Sequence, residues 1–146
     1  VNFFVNNQML IDVGSTKGSQ IGAAVVNRDG VVGQVYNVNA NSSQVTLITN
    51  PEFKIYVEQS VTKSKMLAQG SGNGNIIVRY LDKNDKIQAG DILETTGLDD
   101  VYSARIPVAK VVKVFYENNG FNSALCVPVV DFHQLQYVLV LKYDSK

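Results

Sequence analysis

The chain has 146 residues, 45% of them hydrophobic, enough for one full core or for two small ones that each sit near the lower limit of independent stability. Its 13 basic and 13 acidic side chains cancel to a formal charge of +0, and no basic stretch is interleaved with aromatics, which speaks against binding nucleic acid or an anionic membrane surface. No apolar run approaches the roughly 20 residues that cross a bilayer, and the first residue is Val1 rather than methionine, so any exporting or anchoring segment is expected to lie outside this fragment.

Along the chain, apolar residues recur with period two or in short β-branched runs separated by Gly, Asn, Asp and Ser, the pattern of many short strands. Phe3 and Phe4, at the start, suit packing on a partner helix or on the first barrel. Residues 24–28 and Val31-Val32 flank Asp29-Gly30, a pair that supplies the positive φ angles of a two-residue hairpin turn. A strand is predicted at 45–49, and Asn50-Pro51-Glu52 joins a capping residue to a first-turn proline, enough for a single helical turn. Lys54, Tyr56 and Glu58 then alternate with Ile55 and Val57, wetting one face and burying the other.

The glycine-rich stretch 70–74 tempts a phosphate-loop reading, but such a loop needs a helix after it, and Asn75-Ile76-Ile77-Val78 begins a strand. It suits an interdomain or hairpin loop instead. Further strands are predicted at 76–81, 91–95, 106–116, 124–130 and 137–142. Between the first two, Asp82-Lys83-Asn84-Asp85 is a solvated turn, its lysine and missing distal glutamate arguing against calcium. The lone Cys126 lies in the apolar run 124–127, where a thiol packs as a small hydrophobe. Asp131-Phe132-His133 repeats the single-turn signal of Asn50-Pro51-Glu52.

The chain repeats itself. Residues 32–38 align with 108–114, an offset of 76. Upstream, Ile21-Gly22-Ala23-Ala24-Val25 parallels Ala89-Gly90-Asp91-Ile92-Leu93; downstream, the 47–51 and 55–57 segments parallel 129–131 and 137–139. Two related six-stranded antiparallel barrels in tandem are therefore expected, at 1–72 and 73–146, because closure removes the pairing edges that so many short strands with little helix would expose. A strand exchanged between the halves is left open. Gly22, Gly30, Gly33, Gly70, Gly90 and Gly97, with Pro107, are predicted to serve the backbone in turns and close strand approaches.

The order of these motifs resembles the MreC family of bacterial rod-shape proteins. Asp29-Gly30-Val31-Val32-Gly33-Gln34-Val35, followed by residues 45–51, is similar to the family's paired DGLVGRV hairpin and LLTDP strand end; Arg79-Tyr80-Leu81, residues 87–93, Thr95-Thr96-Gly97, Ile106-Pro107-Val108 and 138–141 follow its order over residues 9–142. One departure concerns a loop: the family's Phe-Pro-x-Gly is replaced by Val101-Tyr102-Ser103-Ala104-Arg105, and Arg105 cannot take a positive φ as cheaply as glycine. The resemblance implies a periplasmic scaffold, anchored to the inner membrane by an N-terminal transmembrane helix absent here and joined to it by a coiled coil whose end would be residues 1–8. It implies no cofactor and no catalysis. The partners it implies are the elongation-specific penicillin-binding transpeptidase, MreD and other elongation-complex membrane proteins, and further copies of itself as dimers or filaments.

Chemistry in the sequence is sparse. The one histidine, His133, has no second histidine or cysteine pair to make a zinc site. A tandem-barrel serine peptidase acting on cell-wall peptides would need histidine early and serine late, but only Ser145 follows His133. A periplasmic adaptor of a transport assembly would want a lipoyl-like motif and long helical hairpins. Binding surface remains, with Phe3, Phe4, Tyr36, Tyr56, Tyr102, Tyr116 and Phe121 as the candidate partner anchors, since aromatics dominate protein interfaces.

Overall fold

The computed structural model describes residues 3–82, 86–116, 121–135 and 137–141, without the side chains of residues 3–5, 80–82 and 121. Twelve strands are present among them: β1 (Phe3–Val5), β2 (Gln8–Ile11), β3 (Ala24–Val26), β4 (Val31–Val38), β5 (Ser43–Leu47), β6 (Lys54–Gln59), β7 (Lys65–Gly70), β8 (Ile76–Asp82), β9 (Ile92–Thr95), β10 (Pro107–Tyr116), β11 (Phe121–Pro128) and β12 (Leu139–Val140). Single 3-10 turns occupy Ser15–Lys17 and Phe132–Gln134. The Asp82-to-Asp85 turn lies largely outside the described residues.

These strands make one closed six-stranded barrel, β10-β11-β8-β7-β6-β9, and one six-stranded sheet, β1-β2-β5-β4-β3-β12, that is not closed. The expectation of two closed barrels is thus corrected for the first half. Sheet membership also departs from a partition at residue 72: β6 and β7 belong to the barrel, and β12 joins the first sheet. The exchange is reciprocal. β6 follows β5 in sequence yet pairs with β9, and β12 follows β11 yet pairs with β3. Glycines 70–74 therefore turn the β7–β8 hairpin instead of linking domains.

Equivalent hydrogen bonds recur in the two halves. Gly22 N donates to Val35 O and Gly90 N to Val111 O, both at 2.8 Å; Val35 N donates to Ala23 O and Val111 N to Asp91 O, both at 2.9 Å. The register of β4 on β5 slips after Val35, and that of β10 on β11 after Val111. Both glycines stand at positive φ, 91° and 96°, which only glycine adopts without cost. The single turns match too: Asn50 Oδ1 accepts from Glu52 N and Asp131 Oδ1 from His133 N.

Two local expectations are overturned and one strand is added. Residues 3–8 are not the end of a coiled coil but the first hairpin, β1 on β2, turned by Asn6 and Asn7 at φ 55° and 62°. Asparagine takes this left-handed conformation more readily than most side chains. Next, β7 was not predicted, because Lys65, Met66, Leu67, Ala68 and Gln69 all favour helix. Pairing with β6 and β8 overrides that preference, and Met66 and Ala68 turn into the core. Last, the turn after β3 is not built on Asp29-Gly30 at positive φ. Asn27 N donates to Gly30 O, while Asn27 Oδ1 accepts from Asp29 N and Gly30 N. Gly30 is small for another reason: a Cβ there would strike the carbonyl of Pro107, at the junction of the two halves.

Two cores result. Met9, Ile11, Val32, Val35, Val45 and Leu47 fill the first sheet. The barrel interior holds Ile55, Val57, Ile76, Val78, Leu93 and Val108, and continues without a break into Ala24, Val26, Val31 and Ile48 of the first half. β3 is the shared wall, with Val25 facing one core and Ala24 and Val26 the other. That explains its unbroken apolar run, since a strand buried on both faces loses the alternation of a half-exposed one.

Candidate partner-binding surface

The predicted aromatic anchors do not form one site. Tyr56 is 61% exposed on β6 and Tyr116 is 79% exposed at the end of β10. Tyr36 on β4 is half-covered, and its hydroxyl lies 3.1 Å from Gln8 Oε1 on β2, to which it donates. The side chains of Phe3, Phe4 and Phe121 lie outside those described.

Tyr102 is not a surface residue. It is 4% exposed, and its hydroxyl donates to Gly33 O across the junction at 2.9 Å. Asp99 Oδ1 fixes the loop by accepting from Val101 N and Tyr102 N, and Arg105 ends it at φ 68°, the left-handed conformation that a family glycine would adopt freely. Burial, with Asp99 nearby, pushes the phenol well above its usual range, so the hydroxyl stays a donor. Gly33 itself has no room for a Cβ, which would meet the carbonyl of Thr46 on β5. Tyr102, Gly30, Gly33 and Pro107 thus lock the two halves together.

The Asp131 side chain caps the 3-10 turn through the backbone N–H of His133. Among the described residues, no three of His, Cys, Asp and Glu converge as metal ligands. A cleft of about 760 Å³ runs past His133, Asn7, Thr49 and Gly72. Its polar groups bond to one another, with Thr49 Oγ1 donating to Asn7 Oδ1 at 2.8 Å and Asn7 Nδ2 to Gly72 O at 3.3 Å. Cys126 is buried in the barrel, and desolvation pushes its thiol up to about 12, leaving it inert at neutral pH. Ser145 lies outside the described residues.

Among the described residues, a largely apolar groove opens on the barrel wall, lined by Tyr56, Met66, Leu67 and Leu98 with Lys65, Thr96 and Asp99. Leu67 and Leu98 were missed in the sequence, the first because β7 was not recognised as a strand and the second because an isolated loop leucine carries no periodic signal. Tyr137, 83% exposed, was also missed as a surface aromatic.

Comparison with known proteins places this geometry. The family model described as rod shape-determining protein MreC, barrel core, matches residues 4–142. The cell shape-determining protein MreC of Haemophilus influenzae is 30% identical over 136 residues, covering 92% of this chain and 39% of that protein. The crystal structure of MreC from Pseudomonas aeruginosa superposes with a TM-score of 0.89 at 29% identity, over 93% of this chain and 89% of that one. In a complex between the penicillin-binding protein PBP2 and MreC from Helicobacter pylori, the matching chain shares the fold, with a TM-score of 0.74 at 14% identity over 92% of this chain and 85% of that one. This chain spans about two fifths of the curated relatives it matches first.

Proposed function

The chain belongs to the MreC family of cell shape-determining proteins, which are structural proteins and not enzymes, and from that premise we propose that it is a scaffold of the bacterial cell-elongation machinery. It works at the periplasmic face of the inner membrane, where it binds the elongation-specific penicillin-binding transpeptidase, positions and activates it, and associates with its own copies, with MreD and with other elongation-complex membrane proteins. The observation that carries this reading is the complex of PBP2 with an MreC of the same fold. The barrel wall supports it, because Tyr56, Leu67 and Leu98 form the kind of exposed aromatic and aliphatic cluster that anchors protein interfaces.

A pull-down with the periplasmic part of the transpeptidase from the same organism tests it. Retention is expected, and His133→Ala is expected to leave it unchanged. A transpeptidase that washes through at micromolar concentrations sinks the reading, as does covalent labelling of the chain by a serine-reactive fluorophosphonate.

A further inference from the structure

One side-chain row crosses five strands on the outside of the barrel. Tyr56 pairs with Leu67, Leu67 with Arg79, Arg79 with Ser123, and Ser123 with Phe115. The neighbouring row runs from Lys54 through Gln69, Ile77 and Leu125 to Lys113. Both face outward, because the alternate residues Ile55, Val57, Met66, Ala68, Val78 and Cys126 fill the core.

This wall is apolar and basic together. Tyr56, Leu67 and Phe115 are exposed, and Ile77 and Leu125 lie half-buried between them. Lys54, Arg79 and Lys113 are exposed and have no carboxylate partner among the described residues. Lys113 Nζ stands 5.3 Å from the centre of the Phe115 ring, which holds the ammonium over the apolar surface. Two described acids on the barrel strands are already engaged: Glu58 on β6 and Glu94 on β9 are largely covered and pair with Lys65 and Lys63, each at 3.4 Å. The Asp99 carboxylate beside the Tyr56 groove accepts the N–H groups of its own loop. In a chain of net charge +0, Lys54, Arg79 and Lys113 around one apolar strip, none with a carboxylate partner among the described residues, concentrate positive charge there.

We propose that this wall is the docking surface for an acidic, aliphatic-rich segment of a partner protein, and specifically the face that holds the transpeptidase; the proposal rests on the scaffold reading above and names its surface. Carboxylates from the partner neutralise Lys54, Arg79 and Lys113, while its aliphatic side chains settle on Ile77, Leu125 and Leu67. A protein is favoured over an anionic membrane because three cations are too few to hold a lipid surface. Moreover, half-buried Ile77 and Leu125 can receive side chains but cannot insert into a bilayer.

The test measures affinity of the intact chain for the transpeptidase at low and high salt. The variants are Arg79→Glu with Lys113→Glu, Leu67→Ala with Tyr56→Ala, and Lys17→Glu as a distant surface control, each checked for an unchanged melting curve. Charge reversal is expected to weaken binding by about tenfold or more and to flatten the salt dependence; the apolar pair is expected to weaken binding with the salt dependence retained, and the control to bind as the parent. Folded wall variants that bind as tightly as the parent overturn the proposal while leaving the scaffold reading intact. A parent chain that does not bind overturns the scaffold reading and this assignment with it. Binding of the parent to phosphatidylglycerol vesicles, lost on charge reversal while transpeptidase affinity stays constant, makes the wall a lipid surface and overturns it too.

Discussion

Arg105 keeps a φ of 68° at a position where a side chain with a Cβ pays a steric penalty that glycine avoids. Arg105→Gly is therefore expected to raise the unfolding free energy by about 0.5–1 kcal/mol, since relief of the left-handed strain outweighs the added freedom of the unfolded chain. Urea denaturation checks it, and an unchanged or lower midpoint means that the loop holds no such strain. Tyr102 carries the opposite sign. Removing its hydroxyl in Tyr102→Phe takes away the bond to Gly33 O and is expected to cost about 1 kcal/mol, with the packing kept. Cys126 and Tyr102 both have folded-state pKa values above their unfolded ones, so each favours the folded chain fully below its unfolded pKa. That contribution fades as pH rises past about 8.5 for the thiol and about 10 for the phenol. Melting temperature is expected to hold near neutrality and to fall on the alkaline side, and a thiol reagent at neutral pH is expected to label Cys126 only after denaturation.

β12 is the weaker copy of β6. β6 lies against β9 and β12 against β3, but β6 continues into five paired positions with β7, while among the described residues β12 offers Leu139 and Val140 to β3, with one further bond from Leu141 N to Ala24 O. Deleting residues 136–146 is expected to speed amide exchange in β3 and β4 and to leave the β6–β11 barrel protected. Equal loss of protection in both sheets means that β12 supports the whole fold and not one edge. The elements also show where sequence patterns were legible. Period two revealed β6 and β8, and the Asx turns at Asn50 and Asp131 were readable because the cap, the proline or aromatic, and the following strand are contiguous. β7 was hidden by helix-favouring residues that only its neighbours turn into a strand, and β1 by its length of three residues.

At the scale of the molecule, reciprocal exchange of β6 and β12 binds the halves into one cooperative unit. A fragment of residues 1–72 lacks β12, and one of residues 73–146 lacks β6 and β7, so neither can complete its sheet. Each fragment alone is expected to be largely unfolded by circular dichroism, and an equimolar mixture to recover strand signal and a single melting transition. A separately folded half means that the exchange is not needed for stability. The intact chain is expected to unfold in one step, with calorimetric and van't Hoff enthalpies in agreement.

By itself the sequence determined that this is an internally repetitive, nearly all-strand protein, and the order of its short motifs was enough to point to its family. Those properties live in local alternation, turn residues and internal similarity, all written in neighbouring positions. The tertiary structure alone decided which half each strand serves, why Gly30 and Gly33 are glycine, that Tyr102 locks the junction, and that Tyr56, Leu67, Arg79 and Phe115 share one wall. The physical reason is that strand pairing is non-local: β6 and β12 carry similar alternating patterns that fit either sheet, and the choice between β9 and β3 rests on core packing at positions far apart in the chain.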